Sequence, residues 1–248
     1  MSASSNAGPG VDFDALCRRA ESLGLAVRGA LHPEPGELEF FLPAMRVGTL
    51  ILLGFTGSVQ WEGFLRSVEA NDGLPDPLDR WSRRVIGSMA AELSAAALYP
   101  SGSSPAPPFQ RLAVRSEPVH RSPIGLLIHP RWGLWHAYRG ALVLPDRIRL
   151  PSLAPAASPC SACATQPCLS SCPVRAFRAG SFDIERCVDH VLSAAGLECR
   201  ERGCRARRAC PVGAEFRYVE AQARFHMRAF LRSAQPSSSP ERVRDDAR

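Results

Sequence analysis

Apolar side chains between residues 11 and 23 (Phe13, Leu16, Cys17 and Ala20) fall on one helical face, which predicts an amphipathic helix. Cys17 belongs to that face and reads as a core thiol rather than a ligand. Residues 25–31 read as a strand, Pro33 to Gly36 as a turn, and the wholly apolar run 47–55, flanked by glycines, as a second strand. A helix is predicted over 61–69. A longer one is predicted over 76–97, opened by Asp76-Pro77 and keeping Leu78, Trp81, Val85, Ile86, Met89 and Leu93 at helical spacing. After a proline-rich loop at 101–108, the runs 125–128 and 134–144 fit strands joined by a turn at 130–133. A final helix over 214–231 carries Phe216, Val219, Ala223, Phe225 and Phe230.

These elements make an α+β organisation. Residues 1–10 are expected to form a disordered tail, 11–150 a mixed α/β domain and 151–159 a stiff proline-rich linker. Residues 160–233, where eight cysteines fall in two runs that each end in Cys-Pro, are expected to form a small dicluster ferredoxin-like module with its C-terminal helix, and 234–248 a second disordered tail. With 248 residues, 45% of them hydrophobic, the chain can bury a core outside the cysteine-rich part. No apolar run reaches bilayer length and residues 1–10 carry no export signal, so a soluble, cytoplasmic protein without a membrane partner is expected. All 30 basic residues are arginine. That excludes a P-loop lysine, a Schiff-base lysine and a lysine general base. Arg200, Arg202, Arg205, Arg207 and Arg208 lie among the cysteines, where they could offset cluster charge, dock an acidic partner or an RNA backbone, or simply face solvent.

Eight of the nine cysteines lie between 160 and 210, in two runs that each end in Cys-Pro. The first holds Cys160, Cys163, Cys168 and Cys172-Pro173; the second holds Cys187, Cys199, Cys204 and Cys210-Pro211. Closely spaced cysteines supply three soft thiolates to one cubane cluster without long-range ordering, and in two-cluster ferredoxins the cysteine before the proline crosses to the other cluster. That rule assigns Cys160, Cys163, Cys168 and Cys210 to one 4Fe-4S cluster and Cys172, Cys187, Cys199 and Cys204 to a second. Zinc sites and disulfides are the competing readings. The first wants two C-x2-C pairs where only Cys160 and Cys163 are so spaced, and the second wants an oxidising compartment. The first run also has four residues between Cys163 and Cys168 where the strict ferredoxin form has two, and the second run is stretched throughout.

This layout resembles the C-terminal module of epoxyqueuosine reductase, a tRNA-modifying family that couples two 4Fe-4S clusters to a cobalamin held by its N-terminal domain. The lone cysteine of that pattern matches Cys187 in Glu185-Arg186-Cys187, and the closing triplet matches Cys199, Cys204 and Cys210. The segments Gly125 to Pro130, Gly133-Leu134-Trp135 and Gly140-Ala141-Leu142 also look like the family. The resemblance implies electron transfer, a cobalamin site and tRNA as a partner. Two departures weaken the last two. Arginine (Arg115) stands where the family places an acidic proton donor, with Glu117 near but out of register, and the segment from Val119 to Gly125 is short.

Three classes of function therefore stand. One is an electron-transfer protein whose N-terminal domain docks a redox partner protein, without the family's activity. The second is a cobalamin- or flavin-linked reductase of the epoxyqueuosine reductase type. The third is an interaction protein with a structural cluster or zinc. Outside the cysteines, His129, Trp132, Trp135, His136 and Tyr138 are the only dense group of chemically useful side chains. His129, Trp135 and His136 are the candidate cofactor contacts; plain aromatic packing of a strand pair is the alternative.

Overall fold

The computed structural model describes residues 11–178 and 180–234; the tails expected at 1–10 and, beyond Ala234, at 235–248 lie outside them. The architecture is mixed helix and sheet. Four strands, β1 (Ala26–Leu31), β2 (Thr49–Thr56), β3 (Ala96–Leu98) and β6 (His136–Leu144), form an antiparallel sheet in the order β1-β2-β6-β3. β2 is apolar on both faces because both are covered. Ile51, Leu53 and Phe55 pack with Leu142 and Leu144 against helices α1 (Phe13–Ser22) and α4 (Pro77–Glu92). Leu50 and Leu52 pack with Ala141 and Val143 on the other face, against α5 (Phe109–Ser116). Asp12 caps α1 through Ala15 N, as the short polar residue before an apolar face predicts.

Several expected elements differ. The helix expected over 61–69 is broken into α2 (Trp61–Leu65) and α3 (Val68–Asn71), because Ser67 stops the first and accepts from Ala70 N to cap the second. The helix expected to 97 ends at Glu92: Ser94 turns left-handed (φ 51°), and the alanines beyond it pair with β6 as strand β3. The strands expected at 125–128 and 134–144 are not partners. Leu127–Ile128 (β5) pairs with His120–Arg121 (β4), and the turn between β5 and β6 closes through the isolated His129–Gly133 bridge. α5 is hidden in the sequence behind Pro107 and Pro108, although Phe109, Leu112 and Ala113 give it a buried face. The last helix, α10 (Glu220–Ala234), begins after a 3-10 turn at Ala214–Phe216, and Val219 before it is exposed.

Residues 151–157 are exposed and lack regular structure. The cysteine-bearing part beyond them packs closely on the sheet. Phe225 of α10 meets Trp61 and Phe64. Gln222 is buried, accepts from Ser58 Oγ at 2.6 Å and donates to Gly57 O. A Cβ on Gly213 (φ 65°) would lie 2.4 Å from the Trp132 carbonyl carbon, and one on Gly133 would lie 1.9 Å from Val212 O, so two glycines interlock the His129–Gly133 turn with the chain after Cys210-Pro211. No helix of the described residues is long and apolar enough to cross a membrane.

Candidate metal centre

Local structure places the cysteines on short, tightly turned pieces. Ser158 Oγ accepts from Cys160 N and opens a 3-10 turn at Pro159–Ala162, with Cys163 next in the chain. Gln166 (φ 37°) reverses the chain into α6 (Pro167–Ser170), which buries Cys168. Beyond Cys172 a small hairpin of β7 (Phe177–Arg178) and β8 (Ser181–Phe182) leads to α7 (Ile184–Leu192), capped by Asp183 at Arg186 N and presenting Cys187. Cys199 lies in α8 (Leu197–Arg202), while Cys204 and Cys210 flank α9 (Arg205–Arg208).

The thiols sort into two groups. Burial pushes Cys168 up, and the neighbouring Cys210, Cys160 and Cys163 push it further. Cys160 is raised by burial and then by Cys210 and Cys163. Cys187 is pushed up to about 12 by burial and then by Cys204, Cys172 and Cys199. Cys204 is raised by burial, against hydrogen bonds from Arg207 and Ala206, with Cys199 and Cys172 adding to it. Cys210 thus sits with the first run, and Cys172 with the second. Within either group, thiolates repel one another in a half-buried setting, so the donor set suits a cationic core that takes up their charge. Cys160, Cys163, Cys168 and Cys210 line a small apolar hollow of about 20 Å³, closed by Ile128 and Leu134. Among the described residues, no three His, Cys, Asp or Glu side chains converge as a group for a single metal ion.

Sequence reading missed the groups around these sulfurs because most are backbone. Ala176 N donates to Cys172 Sγ at 3.3 Å. The peptide N–H groups of Arg205, of Ala206 and Arg207, and of Val212 favour the thiolates of Cys199, Cys204 and Cys210 respectively. His190 Nε2 lies 3.8 Å from Cys199 Sγ. The arginines among the cysteines are mostly engaged elsewhere. Arg205 and Arg208 pair with Glu198, Arg202 with Glu220, and Arg200 donates to Val191 O. Arg207 differs: it donates to Leu134 O and lies against the rings of both Trp135 (4.7 Å) and Tyr218 (4.5 Å).

The aromatic group upstream is closely packed. His129 stacks on Trp132 at 4.0 Å, and its Nδ1 accepts from Arg131 N and Trp132 N. Trp135 packs edge-on to Tyr218. His136 Nε2 lies 3.0 Å from Leu127 O, and burial together with Arg28 holds its pKa down at about 3. Arg28 is the extra residue of a bulge in β1, which turns its side chain inward over Trp132 at 4.1 Å. There it binds Glu117, which also accepts from Tyr138 Oη. Of the three candidate cofactor contacts, His136 lines a hollow of about 340 Å³ between β6 and the cysteine module. Its size suits a drug-like molecule and falls well short of a whole cobalamin.

No protein-family model and no curated protein sequence matches the chain. Among solved structures, epoxyqueuosine reductase from Streptococcus thermophilus is similar at 12% identity and a TM-score of 0.48, over 82% of this chain and 66% of that one. An epoxyqueuosine reductase with an epoxyqueuosine-modified tRNA stem loop is similar at 16% identity and a TM-score of 0.42, over 85% and 64%. The Bacillus subtilis enzyme gives 17% and 0.42, over 83% and 60%. The chain thus spans less than two thirds of each, and a likeness this low does not carry their activity to it.

Proposed function

We propose that this chain is an iron–sulfur electron-transfer protein with two 4Fe-4S clusters, one held by Cys160, Cys163, Cys168 and Cys210 and the other by Cys172, Cys187, Cys199 and Cys204. What supports the reading is that Cys210 lines one hollow with Cys160, Cys163 and Cys168 while Cys172 lies near enough to Cys187 and Cys204 to raise their thiols, as the Cys-Pro crossover would require. Bound clusters supply one-electron transfer. The protein's part is to bury the thiolates, aim N–H groups at them and so set their potential. The sheet domain serves to dock a redox partner protein. Reduction of epoxyqueuosine is not part of the function: Glu117 is 3% exposed and committed to Arg28 and Tyr138, which leaves no free acid in this stretch, and the hollow beside His136 does not fit a cobalamin.

Anaerobic reconstitution with iron and sulfide tests the reading. About eight irons per chain and broad visible charge-transfer absorption are expected. Iron near four would remove the second cluster, and a colourless protein holding zinc would remove both.

A further inference from the structure

Cys187 and His190 stand three residues apart on α7, so both side chains leave the same face of the helix. The backbone that follows is tightly held. Ser193 donates both its N–H (3.1 Å) and its hydroxyl (2.8 Å) to His190 O, and a Cβ on Gly196 would lie 1.9 Å from that same oxygen. Only glycine allows so close a pass, and it leads the chain straight into α8, which buries Cys199. His190 Nε2 is thereby set 3.8 Å from Cys199 Sγ, within the longer reach of a sulfur acceptor. A ligating thiolate carries no proton and only accepts, so the ring hydrogen sits on Nε2. Among the described residues, no other side-chain nitrogen hydrogen-bonds a sulfur of the two cysteine runs. A hydrogen bond to a ligand sulfur favours the reduced cluster, whose extra negative charge spreads onto its sulfurs.

We propose that His190 sets the reduction potential of the second cluster, that of Cys172, Cys187, Cys199 and Cys204, by donating its Nε2 hydrogen to Cys199 Sγ. One electron from a redox partner protein enters the cluster, no proton moves, and the bond from His190 holds that electron more firmly. The proposal rests on the two-cluster reading.

Potentiometry of the reconstituted protein, followed by electron paramagnetic resonance, tests it. Cys187→Ala removes a ligand outside the Cys-Pro exchange and so identifies the signal of the second cluster. His190→Phe keeps a flat ring and deletes the donor. In it the ratio of reduced to oxidised second cluster at a given potential should fall about tenfold, a shift of about 59 mV to more negative values for one electron, with the first cluster unmoved. His190→Gln, whose amide nitrogen reaches about as far as Nε2, should recover most of that shift. An unmoved second cluster in a variant with full iron overturns the proposal, as does an equal shift of both clusters or a His190→Gln that behaves like His190→Phe. If His190→Phe loses iron, His190→Asn, whose amide is drawn back from the sulfur, takes its place under the same expectations; loss of iron there too makes His190 a structural residue and overturns the proposal. Iron near four or none in the wild type fails the cluster reading itself, whereas about eight irons with an unmoved potential fails this proposal alone.

Discussion

Arg28 Nη2 stands 2.9 Å from Glu117 Oε2, with the two side chains 0% and 2% exposed, so this ion pair joins β1 to the end of α5 inside the protein. Removing one partner strands the other charge. Arg28→Met should cost roughly 3–5 kcal/mol in urea unfolding, and adding Glu117→Leu should restore most of it. A loss in the double variant equal to the sum of the losses in Arg28→Met and Glu117→Leu alone would show that the pair is not coupled.

The same burial bears on activity. Given cobalamin and a reductant, the protein should not reduce epoxyqueuosine in tRNA, because a carboxylate held between Arg28 and Tyr138 cannot reach a substrate. If product does form, Glu117→Gln shows whether this carboxylate is the acid: turnover lost in that variant would place it in the reaction.

Exchange of the Cys-Pro cysteines makes an unusual assignment testable. Cys172→Ala should damage the cluster of Cys187, Cys199 and Cys204 and leave the cluster of Cys160, Cys163 and Cys168 intact. Electron paramagnetic resonance of the reduced variant distinguishes the two, and loss of the cluster in its own run would refute the swap.

Two glycines with similar backbone separate strain from contact. Gly73 (φ 72°) has open space around its missing Cβ, so Gly73→Ala should cost about 1 kcal/mol from the left-handed backbone alone. Gly213→Ala adds a collision with the Trp132 carbonyl, whose backbone cannot swing aside, and should cost at least about 1 kcal/mol more. Similar melting temperatures for the two variants would deny the interlock.

Folded-state pKa values of about 3 for His136 and His226 set a direction for pH. Both lie below the ordinary value of 6.5, so below that pH the unfolded chain takes up protons that the folded protein refuses, and stability falls as pH drops from 6.5 toward 3. Each histidine adds a slope of roughly 1.4 kcal/mol per pH unit within that window. Unfolding free energy should therefore fall by roughly 2 kcal/mol less between pH 7 and pH 5 in His136→Phe than in the wild type. Equal falls would mean that His136 is already protonated in the folded protein.

The cysteine pattern was legible because its information is local: Cys-Pro punctuation and short spacings survive in one dimension. The apolar run of β2 and the faces of α1 and α4 were legible for the same reason. The Arg28–Glu117 pair was not, since its partners stand 89 positions apart and one is aimed by a single-residue bulge that no periodicity announces. The helix read through to residue 97 overran because alanines suit either structure, and the bond partners on β6 that make Ala96 and Ala97 a strand come from another part of the chain. His129 and Trp135, picked out by their density, are engaged in packing, whereas His226, which faces the same hollow as His136, looked like one more position on a terminal helix.

The interlock at Gly133 and Gly213 makes the sheet hostage to the cysteines. Were the clusters we propose lost to oxidation, eight repelling or mispaired sulfurs would be set loose beneath the turn that those glycines clasp, and Phe225 would lift from Trp61 and Phe64 along with α10. Damage from oxygen would then be displayed as bare aromatic surface on the other half of the molecule, where chaperones and proteases look for it. With the clusters we propose in place, the state of the iron would decide the lifetime of the whole chain.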